Sequence, residues 1–211
     1  VLMCDSSQFN KINEIALNDK LQRMTTTLTL NTRISSPSKH LAEPGPDPGQ
    51  LREILEAAVH CPDHGRLRPW RFVIVRGGQR HKLGELLIQR VLAELPEASE
   101  IRLEKERTRF SFAPCIVTVV LNPMKNHKVP EIEQVLSGGA LCMNMLHAAH
   151  QMGFGAQWLT GFAAYDPAIH QALGLGANEQ ILGFIHIGSK TGEPPERERP
   201  DVDALSVEAA L

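Results

Sequence analysis

The chain has 211 residues, 42% of them hydrophobic and 22% charged, a balance that suits a folded domain and excludes a largely disordered chain. With 22 Lys and Arg against 24 Asp and Glu the formal charge is −2, so the basic excess of a nucleic-acid binder is missing. The four cysteines (Cys4, Cys61, Cys115, Cys142) form no CxxC pair, which favours a reducing, cytoplasmic setting, and no apolar run approaches the roughly 20 residues of a membrane span.

Residues 1 to 23 carry only a weak amphipathic pattern through Phe9, Ile12, Ala16 and Leu21, and Met24 looks like a natural start. They are read as an N-terminal extension, with a single domain from 24 to 211. "PSKHLAEPGPDPGQ" is a Pro/Gly linker that delivers the chain into a helix, "QLREILEAAVH", stopped by Pro62. The run at 72 to 75 reads as a strand, followed by a helix to about Leu95 and a charged helix to about Arg109. There Arg102, Arg107 and Arg109 alternate with glutamates as on a solvated face. "PCIVTVVLN" is apolar on both faces, as a central strand would be.

The longest helix starts after Pro130 and is expected to bury Ile132, Val135, Leu136, Leu141, Met145, Leu146 and Ala149, with Gly153 closing it. Gly138 and Gly139 inside it cost roughly 1 kcal/mol each relative to Ala, so another backbone or a ligand should approach there. "GAQWLTG" and "QILGFIHIG" read as strands, with a short helix from about Pro167 between them, and a Pro-rich arm leaves the body from about residue 190. Without strict βαβ alternation the fold class is α+β.

Three chemical readings of "CPDHGRLRPWRFVIV" and its surroundings compete. Cys61-x-x-His64 and His147-x-x-His150 have metal-ligand types, but they cannot be matched into four ligands. Cys61 next to His60 and His64 has the neighbours of a nucleophile, yet a thiol before Pro62 at a helix end reads more simply as packing. "GFGAQW" and "GLGANE" do not open a helix after a strand, which a dinucleotide fingerprint requires. What remains is a set of dispersed basic and aromatic residues: Arg33, His60, His64, Arg68, Trp158, Arg197 and Arg199. Together they suit an anionic, planar ligand.

At this point the sequence resembles the nitroreductase family, and its compact subgroup in particular. The resemblance rests on "LAEP", "CPDHGRLRPWRFVIV", "NHKVPEIEQVLSGGA", "MGFGAQWLTG" and "ILGFIHIG", in family order across about residues 30 to 190. It implies a nitroreductase-like fold, a central mixed or antiparallel sheet flanked by helices, and an intertwined homodimer with FMN at the subunit interface. It also implies a ping-pong cycle in which hydride from NADH or NADPH reaches nitroaromatic or quinone-like acceptors. The family's Arg-Arg-Ser for the flavin phosphate falls on Thr32-Arg33-Ile34, with Ser35 following. His60, an Arg in relatives, and His64 match residues that reach the flavin from the second subunit, and Trp158-Leu159-Thr160 match the stretch along its ring. Arg197 or Arg199 resembles a late arginine that compensates for the cations missing at 32 and 159. The segment Ala148, Ala149, His150, Gln151, Met152 and Gly153 corresponds to one linked with the nicotinamide nucleotide. Arg68 replaces a Gln common in relatives. A flavin carrier or sensor without turnover, a flavin-free dimeric module, and a dehalogenase or flavin-modifying enzyme on the same fold stay open as alternatives.

Overall fold

The computed structural model describes residues 30 to 210; the segment read as an extension lies outside the described residues. Five strands build one sheet: β1 (Leu41–Ala42), β2 (Trp70–Arg76), β3 (Cys115–Leu121), β4 (Gly155–Leu159) and β5 (Gln180–Lys190). Their order is β1-β5-β3-β2, with β4 also on β5, and every pairing is antiparallel. The sheet is therefore antiparallel throughout, and β1 falls within what the sequence alone presents as linker. As expected from its composition, β3 is buried along its whole length, between β2 and β5.

Alternation along β3 and β5 divides the core in two. Cys115, Val117, Val119, Ile185 and Ile187 meet α1 (Pro48–Ala58) and the long helix α4 (Glu131–Gln151). Ile116 and Phe184 meet α2 (Gly78–Glu94) and α5 (Pro167–Ala172) on the other face, through Leu83, Leu87 and Ile169. Helix α1 starts inside the Pro/Gly stretch. Asp47 and Gln50 form a reciprocal capping box and Pro48 takes the first helical position, where its missing N–H costs nothing. The helix ends at Ala58, ahead of Pro62, because the Asn144 amide donates to the carbonyls of His60 (2.9 Å) and Ala58 (3.5 Å). At the far end of α4, Gly153 at φ 86° closes the helix, with Phe154 N–H donating to the Ala149 carbonyl and Gly153 N–H to that of His150.

Two expectations need correction. Helix α3 (Glu100–Thr108) is not a purely solvated face. Glu106 is buried and takes both Arg109 nitrogens at 2.5 and 2.9 Å, with Arg102 at 3.3 Å. Burial alone would raise its pKa, but the hydrogen bonds and charge of Arg109 outweigh that and hold it below the ordinary value. On α4, Ile132 and Leu136 are more than 60% exposed, and Met143 further along is exposed as well. The apolar residues of α4 surround more of the helix than one protomer's core can cover.

The glycine pair in α4 faces a side chain rather than a backbone or a ligand. A Cβ at Gly138 would meet Leu182 Cδ1 at 2.1 Å, and one at Gly139 would touch the Trp158 ring at 4.0 Å. Leu182 sits where the register of β3 against β5 slips between Val119 and Val120. Its carbonyl accepts the Trp158 indole N–H at 3.0 Å, and the indole lies directly over Gly183. A Cβ at Gly183 would fall 1.9 Å from the Trp158 nitrogen. Gly183→Ala should therefore cost about 2 kcal/mol by overpacking. Urea unfolding followed by tryptophan emission would show a lower midpoint and a shifted native spectrum; an unchanged midpoint would mean that the indole moves aside freely.

Candidate functional site

Two clusters of the expected residues form, one at each end of α4. At the C-terminal end, residues 33 to 38 run beside β4 and are pinned there. Ser36 N–H donates to the Ala156 carbonyl at 3.0 Å, Ser38 N–H to Gln157 Oε1 at 2.6 Å, and Ser38 Oγ lies 2.9 Å from His186 Nδ1. This places Arg33 beside His147 and His150, with Ser35 Oγ accepting from Arg33 at 3.4 Å. The arm returns over the same segment after leaving β5. Arg199 donates to the Arg33 carbonyl at 3.3 Å, and Arg197 and Arg199 line a cleft of about 580 Å³ with Asn31, Thr32 and Ile34. Gly155 admits Ser36 and Lys190, which would lie within 3 Å of any Cβ there.

The electrostatics of this cluster are one-sided. Burial and the Arg199 charge hold the Arg33 pKa below its ordinary value. Burial, Arg33 and His150 lower that of His147, and burial, Lys190 and Arg33 lower that of His150. Among the described residues no carboxylate forms an ion pair with any of them; Glu196 and Glu198 line only the adjoining cleft. Arg33 Nε and His147 Nδ1 are buried without a hydrogen-bond partner. An unpartnered guanidinium N–H and an unpartnered imidazole nitrogen, close to further positive charge, suit an anion.

The other cluster lies along the first two-thirds of α4. His64 Nδ1 is 2.6 Å from Glu133 Oε2, Ser137 Oγ donates to the Pro62 carbonyl (2.6 Å) and accepts from Trp70 Nε1 (3.2 Å), and Asn144 holds the His60 carbonyl. Cys61 is half-buried, 3.9 Å from Ser137, its pKa raised chiefly by burial, as a packing thiol's should be. Glu133 and His147 are separated by about 21 Å along the helix axis at 1.5 Å per residue. One protomer thus keeps His64 apart from Arg33, whereas the His60 backbone, held by Asn144, lies only about 4.5 Å along the helix axis from His147.

Trp158 is occupied in packing against Leu182 and Gly183, which leaves exposed Thr160 and half-buried Leu159 at the strand's open end. Within 148 to 153, Ala148, Ala149 and Met152 belong to the core, so only His150, Gln151 and Gly153 face outward. Sequence reasoning missed Glu133, Ser137 and Asn144 as site residues, and weighed His147 only as half of a metal-type pair with His150. The first three recur at helical spacing on an otherwise apolar helix, and that recurrence was their available signal.

The fold and the site together describe an α+β protein with a cluster of basic groups, two of them with buried unpartnered nitrogens, at one end of its central helix. Comparison with known proteins makes the class specific. The model of the nitroreductase family matches residues 33–189. "Putative NAD(P)H nitroreductase YdjA" of Escherichia coli K12 is 36% identical over 162 residues, covering 77% of this chain and 86% of that protein. Among solved structures, a nitroreductase-like family protein from Bacillus cereus superposes with a TM-score of 0.72 at 22% identity, over 86% of this chain and 94% of the other. A Desulfovibrio desulfuricans protein in complex with FMN does so with 0.67 at 21%, over 88% and 96%. The chain belongs to the nitroreductase family.

A pH dependence follows from the buried imidazoles. Burial and the Arg109 charge lower the His186 pKa to about 3, and those of His147 and His150 also lie below the ordinary value. The unfolded chain, with histidines near 6.5, takes up protons first, so the stability these groups contribute is complete above about pH 6.5 and is lost as the pH falls below it. An anion at Arg33 reverses the penalty for His147 and His150 but not for His186. Sulfate, a dianion at both pH values, should therefore raise Tm more at pH 6 than at pH 8; equal shifts would show that the two imidazoles do not face the anion.

Proposed function

We propose that this protein is an FMN-dependent oxidoreductase that takes hydride from NAD(P)H and reduces nitroaromatic or quinone-like acceptors in a ping-pong cycle. The observation that carries the reading is the cluster of Arg33, His147 and His150, within electrostatic reach of Arg199 and Lys190, in a chain of the nitroreductase family. A phosphate monoester supplies the charge and the acceptor oxygens that Arg33 Nε and His147 Nδ1 lack. The residues present thus fit the phosphate end of FMN, with Ser35 beside Arg33 and with Leu159 and Thr160 at the open end of β4.

When bound, the flavin supplies the redox chemistry, and the protein's part is to place it and to shape the charge around it. His60 and His64 serve the ring end of a neighbouring protomer's flavin. The exposed stripe of Ile132, Leu136 and Met143 on α4 supports this arrangement. A second copy packed antiparallel on that stripe brings the His64 end of one protomer to the Arg33 end of the other. Two half-sites about 21 Å apart in one chain then become one site between two. The arm beyond Lys190 suits the same homodimer. It exposes Val202, Leu205 and Val207, while β2 forms an outer edge of the sheet beside an apolar groove of Leu51, Leu55, Val59, Phe72 and Ile74. Cys61, Cys115 and Cys142 as free thiols agree with a cytoplasmic setting.

The visible spectrum of the purified protein tests the cofactor directly. Arg33→Ala removes hydrogen bonds of about 1.5–3 kcal/mol to a charged group, so flavin affinity should fall roughly 10- to 100-fold. An undiminished flavin content in this variant would count against the assignment. Leu136→Glu leaves the protomer core untouched and places a charge in the proposed interface. Light scattering should find a folded monomer that has lost flavin; a dimer retaining its flavin would remove α4 from the interface.

A further inference from the structure

The turn at 63 to 68 and the loop at 122 to 130 leave the sheet at one corner, where Trp70 pairs with Leu121 and Asn122 N–H donates to the Pro69 carbonyl at 2.6 Å. They meet at Gly65 and Val129, and His64 lies alongside on Glu133. Four exposed cations rise from these two segments: Arg66, Arg68, Lys125 and Lys128. Among the described residues none of the four has an ion-pair partner, as is true of most lysines and arginines there; what sets these four apart is that two adjoining segments bring them to one corner. Two of the nearby acids are already engaged. Asp63 accepts from the N–H groups of Leu67 (3.1 Å) and Arg68 (2.9 Å), and Glu133 is taken by His64.

The backbone here is specialised too. Arg66 and Arg68 both lie in the left-handed region, at φ 54° and 49°, a conformation unfavourable for a residue that carries a side chain. Asp63 stabilises that turn by accepting two of its N–H groups. Strain held in place by a dedicated carboxylate, in a segment contributing no residue to the core clusters except Cys61 and Trp70 at its ends, points to a use for the two guanidiniums.

We propose that Arg66, Arg68, Lys125 and Lys128 form the rim that holds the phosphates of the nicotinamide dinucleotide and favours NADPH over NADH. This rests on the oxidoreductase reading above. The flavin's single phosphate is accounted for at Arg33, so an anionic group at the His64 end belongs to a second molecule. Neutral nitroaromatics and quinones bring no such charge. The dinucleotide brings two in its pyrophosphate and, in NADPH, a further phosphate monoester. The segment from 148 to 153 is poorly suited to the task, since three of its residues are in the core and His150 faces Arg33 and Lys190.

Steady-state kinetics of the flavin-loaded protein with a neutral quinone such as menadione provide the test. In Arg66→Gln/Arg68→Gln, two exposed contacts of about 0.7 kcal/mol each predict a roughly tenfold rise in KM for NADPH. The rise for NADH should be smaller, kcat should change little, and KM for NADPH should become less sensitive to salt. Lys125→Gln/Lys128→Gln, which leaves the strained turn intact, should move KM in the same direction. A wild-type protein that oxidises neither dinucleotide overturns the functional reading and this proposal with it. A competent wild type whose variants keep both KM values overturns the proposal alone. So does a rise in KM confined to an anionic acceptor such as nitrobenzoate.

Discussion

The seating of α4 on the sheet at Gly138 is the contact on which the site depends. Leu182 is driven into the space of a missing Cβ, and it can reach there because β5 slips register against β3 at that point. The slip presents the Leu182 carbonyl to the Trp158 indole and leaves Gly183 to receive the ring. A bulge thus fixes the depth at which a 21-residue helix lies on the strands. Everything functional is then referenced to that helix: Arg33 and the histidines at one end, the His64 turn toward the other.

Much of this architecture was legible in the residues. The unbroken apolar run of β3, the helical periods of α1 and α4, and Gly153 as a terminator each state their role locally, and the structure agrees. What stayed hidden depends on distant partners. The two-residue strand β1 is too short to show a period, and it exists because Leu41 and Ala42 find Lys190 and Ser189. Glu106 has Arg102 and Arg109 at helical spacing on its own helix, but only the fold shows that it is buried. Ile132 and Leu136 have the right spacing for a core, but periodicity does not reveal whether that core belongs to one chain or to two.

The site divides along the same line. Arg33 and the late arginines were expected together through a family resemblance, and the structure brings Arg199 onto the Arg33 carbonyl. His147 could not be foreseen as part of the cluster, because its meaning comes from its surroundings: among the described residues no carboxylate pairs with it and Nδ1 has no partner. Composition works against recognising such a place. Among the described residues most lysines and arginines have no ion-pair partner, so an unpaired one is informative only once its surroundings are known.

The length of α4 has a thermodynamic consequence. If one ligand spans the Arg33 end of one protomer and the His64 end of another, its binding and the association of the chains are a single linked equilibrium. Dilution then releases cofactor, and cofactor opposes dissociation, each by the same free energy. The flavin of such a protein is part of its quaternary structure. Its apparent affinity is a function of protein concentration, and a separated chain is a folded half of a binding site.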